Sequence, residues 1–356
     1  MFDIRPDRPD GPQAAGAAHY RRGMRTLDWV DGAVEMIDQT LLPQETVILR
    51  IGTVDGLVAA IGRLAVRGAP ALGVAGGYGV VLAATAHDPA TDRAEFEGAV
   101  RALRKARPTA VNLARMVDRV AEVARRDRAG AIDEANTIRD EELAASVAMG
   151  ERGADLVREL VGGHGQIRAM TICNTGGLAT VERGTALAVV QTLHERGQLA
   201  EALPVETRPL LQGGRLTTWE LQRMGAPHRL LVDSAGPFLL ALGAADAVLI
   251  GADRVAANGD TANKIGSYSL ALGAARAGVP FVVVAPESTV DLATPDGDAI
   301  EIEDRGPAEV CSVRGVPVAP EGTPAVNPAF DVTPVDLITA LVTDRRVVRF
   351  DRGECL

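Results

Sequence analysis

Four side chains able to do chemistry stand at or just beyond short apolar runs that read as β-strands: Cys173, Gln212, Asp233 and Asp253. Cys173 closes the run Met170–Cys173 and opens Asn174-Thr175-Gly176-Gly177-Leu178-Ala179-Thr180. A cysteine at the start of a glycine-rich turn sits among free backbone amides, a setting in which a thiol can act as a nucleophile. The competing reading is a small core residue, since free cysteines are among the most buried side chains. Asp253 follows Ala247–Ile250, where partial desolvation would raise a carboxyl pKa and suit it to general acid–base work. Otherwise it pairs with Arg254 or caps a turn. Gln212, after Val205–Leu211, offers a donor and an acceptor to sugar hydroxyls. Asp233 and Ser234, after Arg229–Val232, point at the same edge. Asn263 and Lys264 come just before a helix, where the backbone amides and a full positive charge favour an anion.

The first half offers Arg67-Gly68-Ala69-Pro70, an arginine at a helix start with proline in its first turn, which is a seat for phosphate or a plain turn with a solvated arginine. Arg107, ahead of Pro108-Thr109-Ala110-Val111-Asn112, repeats the pattern. Lys105 and Lys264 are the two lysines among 37 basic residues, so each is a place to look. The formal net charge of −10 argues against a nucleic-acid partner held on a basic face. The cysteines Cys173, Cys311 and Cys355 and the five histidines lack metal-ligand spacing. No G-x-G-x-x-G follows a strand and no G-x-x-x-x-G-K-[ST] occurs, so dinucleotide and P-loop nucleotide binding are unsupported. No apolar run reaches the roughly 20 uninterrupted residues of a membrane span. The first 22 residues lack the apolar stretch of a signal peptide and read as a flexible tail of a cytoplasmic protein.

These residues need elements to hold them. A chain of 356 residues suggests about two domains. Aromatics are 3 %, so the core must be built from Ala, Val and Leu. Asp28-Trp29, Ala33–Asp38 and Thr46–Arg50 read as strands, with Asp31-Gly32 as a hairpin turn. Val54–Val66, Pro70–Ala86 and Asn112–Arg126 have helical apolar spacing, and a long helix from about Asp133 to Leu160 crosses toward the second half. From Gln166 onward the apolar runs named above, with Phe281–Val284, alternate with helices at Gly184–Arg196, Thr217–Met224 and Ser267–Ala277. That alternation implies parallel strands with helical crossovers and ligands beyond the strands' carboxyl ends. Thr333, Pro334 and Asp336 read as the start of a final helix. The expected architecture is α/β: a tail over 1–22, a small N-terminal α+β domain over 23–150, and a Rossmann-like parallel-sheet domain over 151–356.

At these residues the chain resembles the methylthioribose-1-phosphate isomerase family, of the superfamily that includes the regulatory subunits of the translation-initiation nucleotide exchange factor. The resemblance runs from about Met24 to Val347. It is carried by Met24–Trp29, Asp38–Pro43, Arg67–Gly73, Arg107–Asn112, Cys173–Thr180, Leu211–Thr217, Gly251–Gly266 and Asn327–Pro334. It implies a catalytic pair at Cys173 and Asp253, and substrate binding by Arg67, Gly68, Ala69, Arg107, Gln212, Asn263 and Lys264. It implies no metal or organic cofactor, a homodimer formed through the second domain, and no nucleic-acid or membrane partner. The chain departs from the family pattern at Ile172, at Asp233–Phe238 and at Glu287. The implied activity is isomerisation of the sugar phosphate 5-methylthioribose 1-phosphate to the ketose. Ribose 1,5-bisphosphate and 5-deoxyribose 1-phosphate are alternative substrates, and a non-catalytic sugar-phosphate-sensing subunit is the alternative class.

Overall fold

The computed structural model describes residues 25–107, 110–163 and 165–356. The expected tail lies outside these residues. In the first half, β1 (Leu27–Val30), β2 (Ala33–Ile37) and β3 (Ile48–Ile51) form an antiparallel meander. Asp31 and Gly32 both have positive φ, as a two-residue hairpin with the native twist demands. Five helices follow: α1 (Val54–Gly62), α2 (Ala69–Ala86), α3 (Arg93–Lys105), α4 (Val111–Arg126) and α5 (Ala131–Leu160). The sequence reading passed over α3, although Phe96, Val100 and Leu103 recur at helical spacing and are buried. Helix α2 is long and apolar enough to cross a membrane, but 83 % of it is buried inside the structure. It is apolar all round because α3, α4, α5 and the meander surround it.

The second half contains β4 (Ile167–Thr171), α6 (Ala186–Glu195), β5 (Leu199–Pro204), α7 (Thr218–Met224), α8 (Ala235–Ala241), β6 (Ala247–Ile250), β7 (Arg254–Ala256), β8 (Thr261–Lys264), α9 (Ser267–Ala277) and β9 (Phe281–Val284). Then come β10 (Val290–Asp291), α10 (Ala308–Cys311), β11 (Ser312–Val313), β12 (Val316–Pro317), β13 (Phe330–Thr333), β14 (Ala340–Val342) and β15 (Val347–Val348). The main sheet has the order β15-β14-β9-β6-β4-β5, parallel except for β15. It is buried on both faces, which is why β6, β9 and β14 read as unbroken apolar runs. Ala169, Leu249 and Val282 face α5 and α6, while Met170, Val248 and Val283 face α8 and α9. Helix α5 runs unbroken through residue 150. Ala135 and Ile138 pack in the first core, and Met149 and Val157 pack on the main sheet. A smaller sheet, β10-β7-β8-β13, sits beside the main one.

Three expected elements are corrected. The strand expected at Val205–Leu211 is Leu199–Pro204, and residues 205–211 fold over its end with a cis Arg208–Pro209 bond. Pro209 has no N–H to join a ladder, and the true strand is masked by Glu201 in its sequence. Arg229–Val232 forms no strand: it makes one isolated bridge, Leu231 with Val205, beside another at His228 with Ala202. The final helix is a single 3-10 turn at Val335–Leu337, with Pro334 extended at ψ 148°. Its start signals are overridden because residues 340–342 form the strand between β9 and β15.

Candidate active site

Strand order sets where a ligand can bind. The chain leaves β4 toward β5 on one side, while β6 and β9 lie on the other, so the order reverses between β4 and β6. Open α/β sheets hold ligands in the crevice beyond the carboxyl ends at such a reversal. Thr171 and Leu249 are paired across these two strands, so Cys173 and Asp253 emerge from adjacent strand ends.

Both residues line one cavity of about 580 Å³. Arg67, Gly68 and Arg107 reach it from the first half, and Gln212 and Lys264 reach it from the second. Ala69 and Asn263 stand outside this lining. Ala69 is the first residue of α2, and Asn263 donates to Ser267 Oγ at 2.8 Å, tying β8 to α9. Asp233 and Ser234 are also outside it. The Asp233 carboxylate accepts from the amides of Thr207 and Arg208, both at 2.7 Å. It shapes the loop beside the site instead of facing the cavity. Of the departures from the family pattern, Ile172 is buried in the core and Glu287 pairs with Arg346 at 2.8 Å.

The backbone around Cys173 is strained and held. Leu64, Cys173, Leu211 and Arg314 all have positive φ and all line the cavity. Such conformations persist in non-glycine residues only where the surroundings over-determine them, and they gather at functional sites. The Cys173 amide donates to Thr207 Oγ1 at 2.8 Å, and its carbonyl accepts from Thr217 Oγ1 at 2.7 Å. Gly68 joins the halves at closest approach. Its φ is 94°, and a Cβ there would lie 2.2 Å from the Ala179 carbonyl oxygen. Gly68→Ala should therefore destabilise the fold by about 2 kcal/mol or more, measured by chemical denaturation.

Burial pushes the Asp253 carboxyl up, opposed by Lys264, Arg107 and Arg67. Lys264 is buried, donates to the Ala329 carbonyl at 2.9 Å and stands 4.8 Å from the centre of the Phe330 ring. Burial and then Arg305 push the Arg107 guanidinium down, and Arg215 is brought to about 10 by burial, Arg67 and Arg314. Arg63, Arg67, Arg107, Arg215, Lys264, Arg305 and Arg314 thus face Asp253 and Glu309 across one cavity. Like charges gathered in a partly desolvated space repel, and an anionic ligand relieves that repulsion.

Sequence reasoning missed part of this lining. Gln39, Thr40, Arg63 and Leu64 come from the loops beside the meander. Of these, only the Asp38–Pro43 motif gave a signal. Arg305, Glu309, Ser312 and Arg314 come from a flap whose base is closed by the Asp304–Pro328 bridge and by Arg305 N–H donating to Asn327 O at 3.0 Å. The flap has no periodic pattern from which it could have been found. A further carboxyl, Glu220, lies 3 % exposed beneath the 174–180 loop. Burial raises its pKa to about 7, against the lowering effect of its hydrogen-bond donors. Because the folded value is above the unfolded one near 4.5, its contribution to stability is complete below about 4.5 and is lost as pH rises through about 7. Glu220→Gln should remove a slope on the order of 3 kcal/mol from the stability profile, read by denaturation between pH 5 and 8.

Fold and crevice together define a class: α/β proteins whose switch-point cavity, lined from both halves of the chain, presents concentrated positive charge to a small anion. Within it, the chain belongs to the Initiation factor 2 subunit family, whose model matches residues 65–349. It is 50 % identical over 91 % of its length to a probable bifunctional methylthioribose-1-phosphate isomerase/methylthioribulose-1-phosphate dehydratase of Nocardia farcinica, but spans only 59 % of that longer relative. It is 47 % identical to a 5-deoxyribose 1-phosphate isomerase of Moorella thermoacetica, covering 91 % of this chain and 93 % of the relative. It is 48 % identical to a methylthioribose-1-phosphate isomerase of Xanthomonas euvesicatoria, covering 91 % and 92 %. Among solved structures, it resembles 5-methylthioribose 1-phosphate isomerase from Pyrococcus horikoshii, with a TM-score of 0.85 and 39 % identity over 91 % of this chain and 92 % of that one. It also resembles a translation initiation factor eIF-2B delta subunit from A. fulgidus, with a TM-score of 0.81 and 36 % identity over 92 % and 96 %.

Proposed function

We propose that this protein is an aldose–ketose isomerase that converts 5-methylthioribose 1-phosphate to 5-methylthioribulose 1-phosphate in methionine salvage, as a cytoplasmic homodimer. In this reading residues 23–150 and 151–356 are two domains that close over the substrate. Cys173 and Asp253 are the catalytic pair. Arg67, the Gly68 backbone, Arg107 and Lys264 hold the phosphate end, and Gln212 holds a sugar hydroxyl, while Ala69 and Asn263 support this wall from outside the cavity lining. One observation carries the reading: a thiol and a carboxyl from adjacent strand ends line the same cation-walled cavity.

The chemistry is internal to the sugar. Phosphate on the anomeric oxygen prevents simple opening to an aldehyde, so the bond from C1 to the ring oxygen must break while that oxygen gains a proton. Hydrogen then moves from C2 to C1, and the C2 hydroxyl gives up its proton as the ketone forms. One proton is taken up at one oxygen and one released at another, so no outside oxidant or reductant is needed. Asp253 gives the proton to the ring oxygen, and Cys173 acts at the carbon centre. A carboxyl whose pKa is raised by burial keeps its proton at higher pH than an ordinary one, which suits the first role.

The test is incubation of the purified protein with 5-methylthioribose 1-phosphate, 5-deoxyribose 1-phosphate and ribose 1,5-bisphosphate, with NMR detection of ketose. The methylthio substrate is expected to give the highest kcat/KM, and absence of ketose from all three defeats the reading. Preference for 5-deoxyribose 1-phosphate, the substrate named for the Moorella relative, would change the substrate and keep the reaction.

A further inference from the structure

We infer that Glu220 is a positioning residue that fixes, through Asn174, where the Arg67 guanidinium stands in the cavity; this rests on the proposed role of Arg67 in holding phosphate. Glu220, the third residue of α7, accepts from Asn174 Nδ2 at 2.6 Å. With its NH2 group committed to the carboxyl, Asn174 turns Oδ1 the other way, where it accepts from Arg67 Nη2. The Asn174 carbonyl oxygen accepts from Arg67 Nη1 and Nη2 as well, at 3.3 and 3.2 Å. An isolated asparagine amide can stand either way round. Reversed here, it would point donors at a guanidinium, and an acceptor at Glu220 is what decides against that.

The contact is built in. A Cβ on Gly176 would lie 2.4 Å from Glu220 Oε2, so only glycine lets the loop press onto the carboxyl. Arg67 is the charged group that bears on Glu220, and its other surroundings are the Asn174 side chain and the Leu178 and Gly177 amides. Asn174 directly follows Cys173, so the same loop orders the thiol and the guanidinium. Arg67 Nε is buried without a protein partner among the described residues, while Asn174 holds the other two nitrogens.

The experiment measures inorganic phosphate binding by calorimetry, which needs no turnover, alongside kcat and KM on the sugar phosphate. Glu220→Met should weaken phosphate binding and raise KM by about tenfold, with kcat changed less than about threefold. Glu220→Gln keeps an acceptor for Asn174 and should restore both to within about threefold of the wild type. Combining Glu220→Met with Arg67→Ala should cost no more than Arg67→Ala alone, since the effect passes through that arginine. Additive losses overturn the inference, as does a folded Glu220→Met protein that binds phosphate like the wild type. If Glu220→Met fails to fold, Asn174→Ala cuts the same connection, and unchanged phosphate affinity there counts equally against it. Wild-type protein that binds phosphate but yields no ketose from any sugar phosphate would defeat the isomerase reading while leaving this one standing.

Discussion

Asp253→Asn should retain the sugar phosphate yet turn it over about 10²- to 10⁴-fold more slowly, the range expected for loss of a general acid–base group. The substitution is nearly isosteric, and it replaces an ionisable group facing the cavity with a neutral one. Desolvation is the largest influence on Asp253, so the variant should be at least as stable as the wild type. Loss of activity could then not be blamed on the fold. The pH dependence gives a second reading. With the folded pKa raised, the acid form persists above the ordinary carboxylate range and disappears as pH rises through that raised value. Wild-type kcat should fall along that limb, and Asp253→Asn should lack it. Steady-state kinetics across pH 5 to 9 check both points. An Asn variant with wild-type kcat would remove Asp253 from the chemistry.

Cys173→Ala is expected to lower kcat by a similar factor, about 10²- to 10⁴-fold, with KM changed only a few-fold. The bonds that hold residue 173 run through its backbone, to Thr207 Oγ1 and from Thr217 Oγ1, so they survive loss of the sulfur. The left-handed φ of 64° is no harder for alanine than for cysteine. Stability should therefore stay within about 1 kcal/mol of the wild type. Turnover in D2O complements the variant. Carbon-bound deuterium in the product would mean that hydrogen leaves C2 as a proton, a route that needs a base at carbon. Direct hydride transfer, in which Cys173 has only a supporting part, requires the absence of that deuterium. A Cys173→Ala protein with undiminished kcat would refute the catalytic assignment.

These two variants also separate catalysis from anion capture. The cavity wall contains seven cationic side chains, and burial together with neighbouring arginines pushes the Arg107 and Arg215 guanidiniums down. Their repulsion favours binding whatever anion relieves it, whether or not the thiol and carboxyl then act. Loss of turnover with retained binding is what an enzyme predicts.

Much of the fold was legible because local physics and tertiary structure agree. Ala247–Ile250, Phe281–Val284 and Ser267–Ala277 stand where their apolar patterns put them, since strands buried on both faces and a helix beside them leave continuous and 3.6-residue signatures. Asp31-Gly32 announced its hairpin for the same reason. The pattern failed where a segment's place depends on distant partners. Leu199–Pro204 is a strand despite Glu201 because Arg229 pairs with that carboxylate at 2.5 Å. Thr333-Pro334 starts no helix because the sheet claims the residues just beyond.

The sequence alone determined the chemical inventory: which thiol, carboxyl, arginines and lysine follow strand ends, and that the chain alternates strands with helices. Residue type and periodicity are local properties, so they can be read in order along the chain. Tertiary structure decided that Arg67 and Arg107 meet Cys173 and Asp253 across one cavity, that Asn263 and Asp233 serve the scaffold, and that the 304–328 flap supplies the opposite wall. Those facts depend on strand order and on the packing of the two halves of the chain, which bring residues more than a hundred positions apart to one cavity that no local pattern records.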